Sequence, residues 1–150
     1  MADPLVETTT VSVRHDLGSS LEDCVRALAT RLQEAGRLAD ADGFVTDVLA
    51  REAKGSTALP GGVALPHARS ASVLVPTVAI ASLPTELTAA GQEFDLVFLI
   101  AVPAEHRDRY LALLRQVTTA VVKPGFRADC RDAASPEALV EVAVEAFAGR

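Results

Sequence analysis

Phe94-Asp95-Leu96-Val97-Phe98-Leu99-Ile100-Ala101-Val102-Pro103 is the stretch that decides the fold. Its apolar run is nearly continuous and does not alternate with polar residues. A strand with one wet face alternates, whereas an unbroken run marks a strand covered on both faces. Phe94 to Val102 therefore reads as the central strand of a sheet with helices above and below. The chain has 150 residues, the size of one domain, and can bury roughly two-thirds of its unfolded surface. Hydrophobic residues make up 49% but aromatics only 4%, so the core is built from Leu, Val, Ile and Ala.

Downstream of Pro103 the period becomes helical from about Glu105 to Val122, with Tyr110, Leu113, Leu114, Val117 and Val121 on one stripe. Pro124 and Gly125 break it, and a short helix is expected over Phe126 to Ala133. Ser135-Pro136-Glu137 has the cap, first-turn proline and acid that start a last helix carrying Leu139, Val140, Val144 and Phe147. Upstream, Val73 to Ser82 reads as a strand near an edge or a bulge, because Pro76 lies within it. Val63 to Pro66 is a short strand. Ser20 to Ala35 is a helix with Leu21, Cys24, Val25, Leu28 and Leu32 on one face, a Ser19–Glu22 capping box and Gly36 as its stop. A second helix spans Asp40 to Ala53, with Phe44, Val48 and Leu49 inward. Residues 1–14 read as a loose N-terminal segment, with a strand-forming start over 1–10 as the alternative. There is no repeat, low-complexity tract or linker. The expectation is one α/β domain over 1–150, with a small mixed central sheet flanked by helices on both faces.

Composition removes several function classes. The formal net charge is −6 with no basic run, which is a poor match to nucleic acid, whose binding rests on phosphate neutralisation. Cys24 and Cys130 form no CxxC pair, and no two His or Cys have the spacing of structural zinc ligands. The N-terminus lacks a basic segment followed by an apolar one, and no apolar run approaches the roughly 18 residues of a spanning helix. A cytosolic protein is expected.

Of the three histidines, His15, His67 and His106, only His67 lies at a strand end beside a Gly-rich loop, Gly55 to Gly62. Imidazole suits phosphoryl transfer: one ring nitrogen attacks phosphorus while a hydrogen bond to the other fixes the tautomer. The transferred group spreads charge over three oxygens and needs cations and N–H donors around it. Arg51 is the candidate cation, since a guanidinium meets phosphate with two prongs. Gly55, Gly61 and Gly62 can bring N–H groups close, and Ser56 and Thr57 add hydroxyls. By spacing alone, a histidine near glycines is more often structural, and Arg51 a solvated helix residue.

Arg51-Glu52-Ala53-Lys54-Gly55-Ser56-Thr57 followed by Gly62-Val63-Ala64-Leu65-Pro66-His67 resembles the signature of the enzyme IIA domains of the fructose/mannitol class. These belong to the bacterial phosphoenolpyruvate-dependent sugar phosphotransferase system. The strand ending Ala101-Val102-Pro103, the Leu-rich helix after it and the helix after Ser135-Pro136-Glu137 follow the same order, so the resemblance covers about residues 15–147. It implies the phosphotransferase/anion-transport-protein fold and a phosphocarrier. His67 matches the phosphorylated histidine, which would accept from the histidine phosphocarrier protein and donate to a cysteine of an enzyme IIB domain, serving a membrane permease indirectly. Arg51 matches the site arginine that stabilises the phosphoryl group, and Thr57 a donor in the same loop. No metal or organic cofactor is implied.

The family has a second histidine at the start of the helix after the central strand, in a His-Leu-x-x-Leu context. Here that position reads Tyr110-Leu111-Ala112-Leu113-Leu114, and the nearest histidine, His106, is one turn earlier, about 6 Å along a helix axis. Either Tyr110 fills the place with a hydroxyl donor, or His106 reaches the site from a displaced position. A phenol can bond a phosphoryl oxygen but carries no positive charge at neutral pH. A regulatory protein of the nitrogen type, signalling through His67 phosphorylation, and a degenerate binding module that transfers nothing are the alternatives. The sequence leaves open the sugar, a homodimer, and which ring nitrogen of His67 reacts.

Overall fold

The structure, a computed structural model, describes residues 4–148. Its centre is β6 (Gln92–Pro103), the run singled out above. On one side β6 pairs antiparallel with β5 (Thr77–Ala89); on the other it pairs parallel with β3 (Val63–Ala64) and β4 (His67–Ser70). Outside β5 lies β1 (Val11–Val13), parallel to it, and outside β3 lies β2 (Ala58–Leu59), antiparallel. The sheet is thus mixed, in the order β1-β5-β6-β3-β2 with β4 also beside β6. The loose segment expected over residues 1–14 gives way to this strand and a 3-10 turn at Thr8–Thr10; residues 1–3 lie outside the described residues. Buried Arg37 pins this start of the chain. Its guanidinium bonds Glu7 Oε2 at 2.6 Å, Pro4 O at 2.8 Å and Thr77 Oγ1 at 3.1 Å.

Both faces of β6 are covered, as its apolar run implies. Leu96, Phe98, Ile100 and Val102 face α3 (Arg107–Val121), α4 (Pro124–Asp132) and α5 (Pro136–Ala148). Val97, Leu99 and Ala101 face α1 (Leu21–Glu34) and α2 (Ala41–Ala53), together with Ala64, Ala68, Ala79 and Ala81. These small residues let the α1–α2 pair approach the sheet closely. Truncating Phe98, fully buried on the other face, would cost roughly 3–5 kcal/mol.

Local signals hold with shifts of one or two residues. The N-cap of α1 is Ser20 rather than Ser19: its hydroxyl accepts the Asp23 N–H at 3.1 Å, and Asp23 Oδ2 accepts the Ser19 N–H at 3.0 Å. In α2, Val45 is buried beside Phe44 and Val48 while Leu49 is only partly covered. In α5 the buried stripe is Leu139, Ala143 and Phe147, and Val144 is exposed. Pro76 precedes β5 rather than interrupting it.

The largest departure is the β5–β6 hairpin, which runs past Ser82 to Ala89 and restarts at Gln92. The register shifts between Ser82 and Leu87, around Pro84, which has no N–H for the ladder. Ala90 and Gly91 turn the chain at φ +50° and +80°. Alanine in the left-handed region is strained by roughly 1 kcal/mol, and asparagine is accepted there more readily. Ala90→Asn is expected to stabilise the protein by about 1 kcal/mol, read as a higher midpoint in denaturant and heat unfolding with an unchanged m-value.

Candidate functional site

The expected strand Val63–Pro66 is half of a longer one. The register Val63↔Leu96 and Ala64↔Val97 continues without slip into His67↔Ile100 and Ala68↔Ala101, so β3 and β4 are one strand with a gap at Leu65-Pro66. The gap follows from chemistry. Pro66 has no N–H to give β6, and the Leu65 N–H points the other way, bonded at 3.2 Å to the carbonyl of Thr57 in line with the β2–β3 pairing. Pro66 still accepts the Ile100 N–H at 3.0 Å, which holds the register. Proline also confines the residue before it to extended backbone. The Leu65 carbonyl is thereby turned to the ring two residues on: His67 Nδ1 lies 2.6 Å from Leu65 O.

That contact settles the tautomer. A carbonyl only accepts, so Nδ1 carries the proton and Nε2 keeps its lone pair. His67, expected at a strand end beside the Gly-rich loop, is the first residue of β4 and only 9% exposed. Burial holds its pKa below the usual 6.5; the Leu65 carbonyl and Glu52 pull the other way, and Arg51 adds to the lowering. The ring is neutral near pH 7.

Tyr110 stands beside it, ring centroids 6.0 Å apart at 51°. His67 and Arg69 point to the same side of β4, the side of α3, which explains the pairing. Burial pushes the Tyr110 phenol above 10, with Arg51 and Arg69 opposing, so it is a neutral donor. His106 is the exposed N-cap of α3, one turn earlier, its carbonyl accepting the Tyr110 N–H. The helix thus brings Tyr110 to His67 and leaves His106 at its outer end.

Arg51 lies in the last turn of α2, half-buried, its Nη1 donating to Gly55 O at 2.9 Å. Its charge is felt by both His67 and Tyr110. Thr57 is buried, and its hydroxyl donates at 2.7 Å to Glu52 Oε1. Its single proton is therefore committed to the loop. Ser56 Oγ accepts the Ala58 N–H at 3.1 Å. Gly61 and Gly62 do not reach the ring. They make the β2–β3 turn at φ +99° and +83°, under Arg131, which bonds Gly61 O at 2.6 Å and Asp95 at 2.9 Å. At about 3.3 Å per strand residue they lie on the order of 15 Å from His67.

Sequence reasoning assigned no role to Glu52, although it stands next to Arg51, or to the Leu65 carbonyl. A glutamate at a helix end, followed by a threonine just beyond the stop, was the signal for the first. The Leu-Pro-His order was the signal for the second. Arg69 is a strand residue whose Nη1 donates to Ala104 O at 3.0 Å.

Residues 6–145 match the family model described as phosphoenolpyruvate-dependent sugar phosphotransferase system, EIIA 2. The chain belongs to that family. Among curated relatives it is 33% identical over 127 residues to the 2-O-alpha-mannosyl-D-glycerate-specific EIIABC component of Escherichia coli, covering 81% of this chain but 19% of that protein. It is 32% identical over 133 residues to a nitrogen regulatory protein of Pseudomonas aeruginosa, covering 87% of this chain and 84% of that one. The fold is shared with the nitrogen regulatory protein IIA-Ntr of Neisseria meningitidis, at TM-score 0.80, 22% identity and coverage of 92% and 95%. It is shared too with the complex of the mannitol enzyme IIA and phosphorylated enzyme IIB from Escherichia coli, at TM-score 0.73, 19% identity and coverage of 95% and 96%. Among the described residues no helix is long and apolar enough to cross a membrane.

The site's electrostatics give a direct check. In an NMR titration the His67 ring is expected to protonate with a midpoint below 6.5. Arg51→Gln removes a cation that disfavours the imidazolium, so the midpoint should rise. A midpoint that does not move places Arg51 outside the site.

Proposed function

We propose that this protein is a cytoplasmic phosphocarrier that accepts a phosphoryl group on His67 Nε2 and passes it on. The observation that carries the reading is the Leu65 carbonyl on Nδ1 of a buried, neutral ring, which leaves Nε2 as the free nucleophile. The donor is the phosphohistidine of the histidine phosphocarrier protein. Its P–N bond breaks as P–Nε2 forms, and the bonding pair leaves with the donor imidazole. Nδ1 keeps its proton throughout, so no general base is needed. Arg51 offsets charge on the phosphoryl oxygens, and the Tyr110 hydroxyl donates to one of them. In the onward step P–Nε2 breaks and a cysteine thiolate of an enzyme IIB domain takes the phosphorus. Membership of the EIIA family and the enzyme IIA–IIB complex of the mannitol relative support this acceptor.

A regulatory role is the second reading, and two observations favour it. Tyr110 stands beside His67, and the resemblance implies a histidine there, so the onward step would have one cation fewer. The chain is also 32% identical over 133 residues to the nitrogen regulatory relative.

Incubation with phosphoenolpyruvate, enzyme I and the histidine phosphocarrier protein is expected to add one acid-labile phosphoryl group, seen by intact mass and lost in His67→Ala. No mass gain on the native chain overturns both readings. Discharge by an enzyme IIB domain favours transport, and an adduct that none discharges favours regulation. Tyr110→His should speed discharge about tenfold, because a charge-assisted hydrogen bond is roughly 1–1.5 kcal/mol stronger than a neutral one.

A further inference from the structure

The Glu52 carboxylate takes no part in the transfer step, yet it begins a ladder of hydrogen bonds that ends on the reactive ring. Its Oε2 accepts the Thr57 N–H at 2.8 Å and its Oε1 accepts the Thr57 O–H at 2.7 Å. The Thr57 carbonyl accepts the Leu65 N–H at 3.2 Å, and the Leu65 carbonyl accepts His67 Nδ1–H at 2.6 Å. The Thr57–Leu65 link extends the β2–β3 register by one pair, and the links on either side of it secure backbone that strand pairing does not hold. Gly55 to Thr57 belongs to no strand, and Leu65-Pro66 is the gap between β3 and β4.

We propose that Glu52 is a positioning residue for His67: acting through Thr57 and Leu65, it holds the imidazole in the tautomer protonated at Nδ1, with Nε2 free to attack. Gripping both the N–H and the O–H of Thr57 fixes the direction of the Thr57 carbonyl. Thr57 is 6% exposed, so water offers little substitute for that grip. The carbonyl then fixes Leu65 through its N–H. Pro66 leaves Leu65 little freedom to turn its own carbonyl off the ring. The coupling is mechanical, since the N–H and the carbonyl of each relay residue belong to different peptide groups. It matters most as the reaction proceeds. When Nε2 gives its pair to phosphorus the ring becomes cationic, and the Nδ1–H bond to Leu65 O becomes charge-assisted. Arg51 and Glu52 thus divide the work from adjacent positions, one directed at the phosphoryl oxygens and the other at the far side of the ring.

The nucleophile's task rests on the phosphocarrier reading, but the tautomer does not, and this separates the tests. Two-bond proton–nitrogen correlation spectra of the unphosphorylated full chain are expected to show a protonated Nδ1 and an unprotonated Nε2 for His67. Glu52→Gln puts an amide NH2 where one acceptor stood, and Thr57→Val removes the hydroxyl. Both are expected to give a mixed tautomer pattern, with Thr57→Ser restoring the native one. Single-turnover phosphorylation should slow about tenfold in Glu52→Gln, with half-saturation by the phosphocarrier protein unchanged. Backbone amide spectra check that each variant is folded. A folded Glu52→Gln, or, where that variant does not fold, a folded Thr57→Val, with the native tautomer pattern overturns the proposal. A tautomer change in the variants together with a native chain that takes no phosphoryl group supports the positioning and overturns the phosphocarrier reading.

Discussion

The bond from Leu65 O to His67 Nδ1 is the contact on which the site depends, and it exists because one strand is interrupted without losing register. A proline in a central position would ordinarily weaken a sheet. Here the missing N–H falls where the chain uses Leu65 for another purpose. The Ile100 N–H still finds Pro66 O, so β3 and β4 stay in step with β6. The imidazole is therefore placed by a strand held in register on β6, which suits a group that must meet a phosphorus atom in line.

From this placement the electrostatics follow. A ring set in the sheet and covered by α3 is desolvated, which keeps it neutral at the pH where it must act as a nucleophile. The same covering brings Tyr110 within 6.0 Å and leaves His106 at the exposed cap. α2 contributes from its last turn, where Arg51 and Glu52 sit side by side with opposite charges. Two layers of helix thus meet at one strand start: the α1–α2 layer supplies the charges, and the α3–α5 layer supplies the phenol.

Much of the architecture was readable because its causes are local or periodic. The unbroken run of β6, the stripe of α1, the cap at Ser135 and the stop at Gly36 each have a short-range origin. The β5–β6 extension was missed because Pro84 to Gly91 carries a proline, alanines and polar residues, and pairing across the hairpin, not propensity, makes it a strand. The loop glycines were misplaced for a related reason. Gly61 and Gly62 serve a turn gripped by Arg131 and Asp95, residues distant in sequence.

The sequence by itself determined that this is a single α/β domain of the EIIA type, that His67 is the histidine to examine, and that Arg51 stands ready near it. It did so because the Arg-Glu and Leu-Pro-His order resembles the family's signature, whereas spacing alone favours a structural histidine and a solvated arginine. Only the tertiary structure decided which ring nitrogen is free, that Tyr110 rather than His106 adjoins it, and that Thr57 serves the loop. Those choices depend on where a carbonyl points, how a helix is rotated over a sheet and which partner takes a single proton. Each is set by contacts between segments far apart in the chain.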